Sequence, residues 1–403
     1  METYEVELQQ AERLSALVYL ENLEPGLVGD IAGKIEMEET IWPCRMSRKE
    51  WLKVLHGIQQ DENISSLNLI KIDDKPTGHR GVVFSDGNGK GFIIFRGTNS
   101  ALEWEDNALG MLEPDTPAQQ LASAFVWQEY RNFQQTIVAG HSKGGNKAKY
   151  SAITLPDYCI ERCYSFDGQG FSLEFIEKYK ESIAKRKQII KQLSDRRGFV
   201  NALGLPVVET TYLNGWRGAA RIDLPYGDSI EKFHCPDALR DVWGKLATQS
   251  RYSPIPLAVA YLARHFLSSP QYEAVRKNTV LGLVSFMEQN KKDQAAVAQL
   301  LLVFTDLCSY DLDFRQLITD IILQETDVIL ATSSAFSEEN NKIYKSLARL
   351  LILNRKGRQH FIESVRFFKS LRAKYLSGKQ QRLNTHIDEA IHLIATESGF
   401  AEY

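Results

Sequence analysis

The run Gly140-His141-Ser142-Lys143-Gly144 puts a serine at the centre of a turn, with a glycine two residues to either side. A serine hydroxyl is a useful nucleophile only where it projects into a cleft beside a base. The flanking sequence supplies that setting. Thr136-Ile137-Val138-Ala139 is a short apolar, β-branched run suited to a strand covered on both faces. A helix is predicted to start near Lys143 and to end before Pro156. Strand, tight turn and helix together are the context that a nucleophile elbow requires. The glycines let neighbouring backbones approach a strained turn without Cβ clashes. The helix turns its positive end and free N–H groups toward the serine. Ser142 is therefore the candidate nucleophile, and the N–H of Lys143 a candidate oxyanion donor.

A base and an orienting acid complete such chemistry. Asp167 ends the strand-like run Cys163-Tyr164-Ser165-Phe166 and opens the turn Asp167-Gly168-Gln169-Gly170-Phe171. A carboxylate at the tip of the strand after the nucleophile strand is placed to reach a histidine near the elbow. An Asp-Gly pair is also an ordinary turn. With the order serine, acid, histidine, the candidates after Asp167 are His234, His265, His360, His386 and His392. The last four fall inside amphipathic helical patterns. His234 lies in Phe233-His234-Cys235-Pro236-Asp237, before a predicted helix over Ala238–Leu246, and is the favoured base. His141 is expected to pack behind the serine, and His56 and His79 precede the elbow.

These residues need a scaffold, and the first 250 residues mix strand and helix signals. Gly81–Phe84 and Phe92–Phe95 flank the turn Asp86-Gly87-Asn88-Gly89 and read as a hairpin. Leu121–Phe133 reads as a helix. Strand, helix, strand through Phe166 is the signature of an α/β domain. Residues 172–200 read as one charged amphipathic helix capped by Ser172. Residues 201–228, with one short strand around Val207–Tyr212, continue a lid-like excursion spanning about 172–228. Beyond residue 250 helical spacing becomes nearly continuous, as in Ile343, Leu347, Leu350 and Leu351. The expectation is a catalytic α/β domain over 1–250 and an all-helical domain of about six helices over 251–403.

Net charge is −3, which gives no reason to expect nucleic acid. No apolar run is long enough to span a membrane. The acidic start Met1-Glu2-Thr3-Tyr4-Glu5 lacks the order of a signal peptide, so the chain is expected in the cytoplasm. Five scattered cysteines suggest neither zinc nor a disulfide framework, and the chemistry calls for no metal or cofactor. Residues 341–382 carry a dozen Lys or Arg against one acid, Glu363. They form a solvated helix face, or a surface for peripheral contact with anionic lipid or with an acidic face of the first domain.

Phe95-Arg96-Gly97-Thr98, followed by Trp104 and Asp106, resembles the oxyanion segment of class 3 lipases. The resemblance implies an α/β-hydrolase fold and gives Thr98 the second oxyanion N–H, helped by its hydroxyl. Asp167 resembles the acid of pancreatic-type lipases. Class 3 lipases place theirs one strand later, which points instead to Asp223 or Asp228. The elbow Gly140–Asn146 and the strand end Phe166–Phe171 together resemble a bacterial lipase-like family with a GHSKGGN elbow. Lys143 replaces the usual leucine and is expected to bring a charge near the cleft, while Asn146 and Lys147 make the next helix more polar. The resemblance implies hydrolysis of carboxylic or lipid esters. A thioesterase, amidase or acyltransferase shares the same triad, and a non-catalytic binding protein is the alternative of another class. The helical region is expected either to cap the cleft and restrain it or to be inert. The acyl chain and oligomeric state stay open.

Overall fold

The computed structural model describes residues 2–37, 42–44, 46–219, 232–287, 293–327, 329–330, 337–375 and 381–400. The chain divides into two compact units, the first ending at Ser253 and the second beginning at Pro254.

The first unit is mixed α/β, built on an eight-stranded sheet whose strands lie in chain order. They are β1 (Gly26–Leu27), β2 (Asn68–Asp74), β3 (Arg80–Ser85), β4 (Lys90–Phe95), β5 (Gln135–His141), β6 (Arg162–Phe166), β7 (Ile190–Asp195) and β8 (Thr210–Leu213). β1 to β4 pair antiparallel and β4 to β8 pair parallel. The expected hairpin is β3–β4, in register from Gly81 opposite Phe95 to Ser85 opposite Gly91.

Both faces of the central strands are covered, which is why they read as continuous apolar runs. Phe92, Ile94, Ile137, Ala139 and Phe166 join a core with Leu14 and Leu17 of the helix Glu2–Leu17 and with Trp51 and Leu55 of the helix Arg48–Gln59. Ile93, Phe95, Val138 and Cys163 face the opposite core, with Phe125 of the helix Pro117–Glu129 and Ala148 and Ala152 of the helix Lys143–Thr154. The parallel strands thus end together at one edge, where ligands bind in open α/β sheets.

Three sequence expectations are corrected. Residues 172–200 are not one helix. Ser172 does cap a helix, its hydroxyl accepting from Phe175 N–H, but that helix stops at Lys178. A second runs over Lys180–Arg186, and Ile190–Asp195 is a sheet strand. Ile183, Ile190 and Leu193 imitate helical spacing, while Ile190 and Leu193 are in fact buried in a strand paired to β6. The lid-like excursion therefore contains two core strands, β7 and β8. Ala238–Leu246 is not a helix either. Asp241 accepts Trp243 and Lys245 N–H groups, and Gly244 takes φ of 77°, closing a turn at the Arg240–Leu246 bridge.

The second unit is helical. Its described helices are Pro254–Ser268, Glu273–Met287, Gln294–Tyr310, Leu312–Gln324, Ser337–Leu353, Arg355–Tyr375 and Gln381–Ser398, seven against about six expected. The stripe Leu347, Leu351, Phe361, Val365 and Ile394 meets in one core. Among the described residues no single helix is long and apolar enough to cross a membrane. None of the five cysteines is joined in a disulfide.

Candidate active site

Ser142 follows β5 and heads the helix Lys143–Thr154 with φ of 59° and ψ of −127°. That region is costly for a residue with a side chain and marks stored strain. It is tolerated because the turn is pinned on both sides. Ser142 N–H donates to Phe166 O at the end of β6, and Ser142 O accepts from Gly145 N–H. A Cβ on Gly144 would stand 2.0 Å from Phe95 O, so only glycine lets the helix start against β4.

Asp167 is the other strained strand tip, with φ of 46°. Its N–H donates to Leu193 O of β7. The carboxylate is buried, and Oδ1 accepts from Ser194 Oγ at 2.7 Å and Asn201 Nδ2 at 2.9 Å. Its other oxygen lies 2.5 Å from His234 Nδ1, and His234 Nε2 lies 2.7 Å from Ser142 Oγ. Burial works against the Asp167 charge, but His234 and the hydrogen bonds outweigh it and hold the carboxyl at about 2. The imidazole keeps 20% of its side-chain surface exposed, and Ser142 is half-buried, so solvent reaches the pair. Arg197 stacks over the ring of Phe233, the neighbour of His234 in sequence, at 5.4 Å.

The structure thus brings together Ser142, Asp167 and His234. Asp223 and Asp228 lie outside the described residues. His141 lies against the His234 ring, and the remaining histidines sit elsewhere. His56 pairs with Glu36 and His79 is buried between Phe95 and Phe125. His265 and His360 share Asp306, and His386 faces Glu389. His392 lies in the helix Gln381–Ser398 of the second unit.

Thr98 follows Gly97, whose backbone packs on the elbow: a Cβ there would stand 2.9 Å from His141 O and 3.0 Å from Ser142 Cβ. The Thr98 hydroxyl accepts from Asn107 Nδ2 at 2.9 Å, leaving its own proton free to donate. Sequence reading singled out Asp106 here and missed Asn107, one residue on. The Lys143 N–H lies in the first turn of its helix, where no intrahelical acceptor exists.

The Lys143 side chain corrects the expectation of a charge near the cleft. It is fully buried and pairs with Asp106 at 2.6 Å. Asp106 also accepts from Thr116 Oγ1 and Ala118 N–H. Burial opposes the Asp106 charge, yet Lys143 and these bonds outweigh it and hold the carboxyl below its usual value. Lys147 pairs with Glu103 at 2.7 Å, equally buried. Lys149 has carbonyl partners instead, Gly168 O and Gln192 Oε1, and burial pulls its ammonium down to about 7. A cavity of about 700 Å³ elsewhere in the first unit, lined by Arg13, Lys53, Trp216 and Arg240, contains none of the three converging residues.

Residues 64–195 match the Mbeg1-like family model. That stretch carries Thr98, Ser142 and Asp167 but ends before His234. No curated protein matches the chain.

Proposed function

We propose that the first unit is an α/β-hydrolase-type serine hydrolase, acting on carboxylic or lipid esters through Ser142, Asp167 and His234. The observation that carries this reading is the continuous contact from Asp167 Oδ2 through both ring nitrogens of His234 to Ser142 Oγ. His234 Nε2 takes the serine proton as Oγ attacks the acyl carbon, and Asp167 steadies the imidazolium that forms. The oxyanion is met by the N–H groups of Thr98 and Lys143 and by the Thr98 hydroxyl. His234 then returns the proton to the leaving alcohol, and water attacks the acyl-enzyme under the same base. The burial and the low value of Asp167 support its charged role.

The test is hydrolysis of p-nitrophenyl esters from short to long acyl chains. Ser142→Ala and His234→Ala are expected to lose about a million-fold in kcat, and Asp167→Asn about 10,000-fold. Full activity in Ser142→Ala would overturn the proposal. Thioesters and amides run beside the esters decide the leaving group. The helical unit is proposed to restrain this site, which truncation after Ser253 tests.

A further inference from the structure

A second set of contacts stands behind the three site residues, and the proton transfers above make no use of it. Tyr19 lies just beyond the helix Glu2–Leu17, outside the stretch that matches the family model. Its hydroxyl is 2.9 Å from His141 Nδ1, and both side chains are buried. The two rings meet edge-on at 5.7 Å. The His141 ring also lies against His234, centroids 4.7 Å apart and planes tilted by 32°. The phenol oxygen also fills the notch left by Gly97, where a Cβ would come within 1.9 Å of it. One side chain from the N-terminal segment therefore touches the oxyanion segment and the elbow, and through His141 it reaches the base.

The protonation states suit a supporting role. Burial, followed by the charge of His234, holds His141 down at about 3, so the ring is neutral. Burial pushes the Tyr19 hydroxyl well above its usual value, so it keeps its proton. A base that becomes an imidazolium is opposed by a second cation a few ångströms away, whereas a neutral aromatic face is compatible with it.

We propose that Tyr19 is a positioning residue for His234, its hydroxyl fixing the His141 ring that backs the base and keeps it aligned on Ser142. This rests on the reading of Ser142, Asp167 and His234 as a triad. A side chain that merely filled space would do as well without its hydroxyl.

The full chain is treated with a fluorophosphonate probe. Ser142 Oγ bonds to phosphorus, fluoride leaves and His234 takes the serine proton. The limiting rate and the half-saturating concentration are read per folded molecule. Tyr19→Phe is expected to lower the limiting rate about tenfold, roughly one hydrogen bond's worth of alignment. Half-saturation should stay within about twofold, since uniform binding is untouched. His141→Phe should behave alike, and the double variant should fall no further than the worse single, as for residues acting as a unit. The downfield proton resonance of the His234–Asp167 hydrogen bond should move in Tyr19→Phe. A wild-type limiting rate in Tyr19→Phe, or losses that multiply in the double variant, would overturn the inference. Unlabelled Ser142→Ala with fully reactive Tyr19→Phe sinks this inference alone, whereas a Ser142→Ala protein still labelled at the wild-type rate sinks the triad.

Discussion

Replacing Lys143 by methionine separates the two roles that the residue after Ser142 could play. The substitution removes the ammonium and keeps the backbone N–H proposed as an oxyanion donor. In the folded chain the ammonium is 2.6 Å from Asp106, with side-chain exposures of 0% and 9%. At an effective dielectric of about 20 that attraction is about 6 kcal/mol, a ceiling, because losing the ammonium also relieves its own desolvation. Breaking one partner of a buried pair typically costs about 3–5 kcal/mol. Asp106 keeps its bonds from Thr116 and Ala118, which places the expected loss at the low end, about 3 kcal/mol. For a unit of this size that is a fall of about 6–12 °C in Tm. Asp106→Asn in the same chain removes the stranded charge and should restore part of it. The Asp106 carboxyl is held low in the folded state, so its contribution is present above the unfolded value near 4 and is lost as pH falls through the folded one. Lys143→Met should flatten that acid limb in urea unfolding. Probe labelling of Ser142 per folded molecule should stay within about threefold, since each tenfold needs about 1.4 kcal/mol of lost transition-state contact. A stability loss under about 1 kcal/mol together with a collapse in labelling would refute the reasoning and return the lysine charge to the chemistry.

Two further outcomes follow from buried carboxylates and from the helical unit. Burial raises Asp195 to about 7, against hydrogen bonds from the Arg197 and Gly215 N–H groups. The folded state therefore binds that proton more tightly than the unfolded one, and stability falls as pH rises from about 4 to 7, by up to about 4 kcal/mol. Asp195→Asn should remove this slope, and equal pH dependence of the urea midpoint between pH of about 5 and 8 in both proteins would count against it. A chain ending at Ser253 that still unfolds cooperatively is expected to label Ser142 several-fold faster than the full chain, and an unchanged rate would reject restraint by the second unit.

How much of this was legible follows from how local each cause is. The elbow is a local object: strand, glycines and helix start lie within about one turn of Ser142, so pattern reading reaches it. Asp167 and His234 were reachable through chain order and strand ends, because the cleft collects the tips of β5 and β6 and the loop beyond β8. β7 was hidden, since Ile190 and Leu193 stand three apart in a charged stretch, and only pairing to β6 distinguishes strand from helix there. The turn at Asp241–Lys245 was hidden because an aspartate bonding its own backbone leaves no periodic trace. Tyr19 was beyond reach for a different reason. Its partner lies 122 residues away, and a tyrosine just after a helix looks like any core aromatic.

The lysines after Ser142 show how the same letters change meaning once their direction is known. Read along the chain, Lys143 suggests a charge near the cleft and Asn146 and Lys147 a more polar helix, with Lys149 following on it. In the structure all three are buried, and each is tied to a segment that carries the site. Lys143 and Lys147 hold Asp106 and Glu103 on the helix Ala101–Leu109, directly after Thr98. Glu103 in turn accepts from the N–H of Asn99. Lys149 holds the carbonyl of Gly168, next to Asp167, and Asn146 holds those of Gln169 and Gly170. An apolar residue in place of Lys143 would pack against the same helix but lose the directional, charge-assisted hold on it, leaving that hold to Lys147 and Glu103. The polar helix is therefore a brace that sets the Thr98 segment on one side of Ser142 and the Asp167 loop on the other. Its cost is three desolvated ammonium groups, and that cost is tolerable because two have a carboxylate and the third has a carbonyl and an amide oxygen.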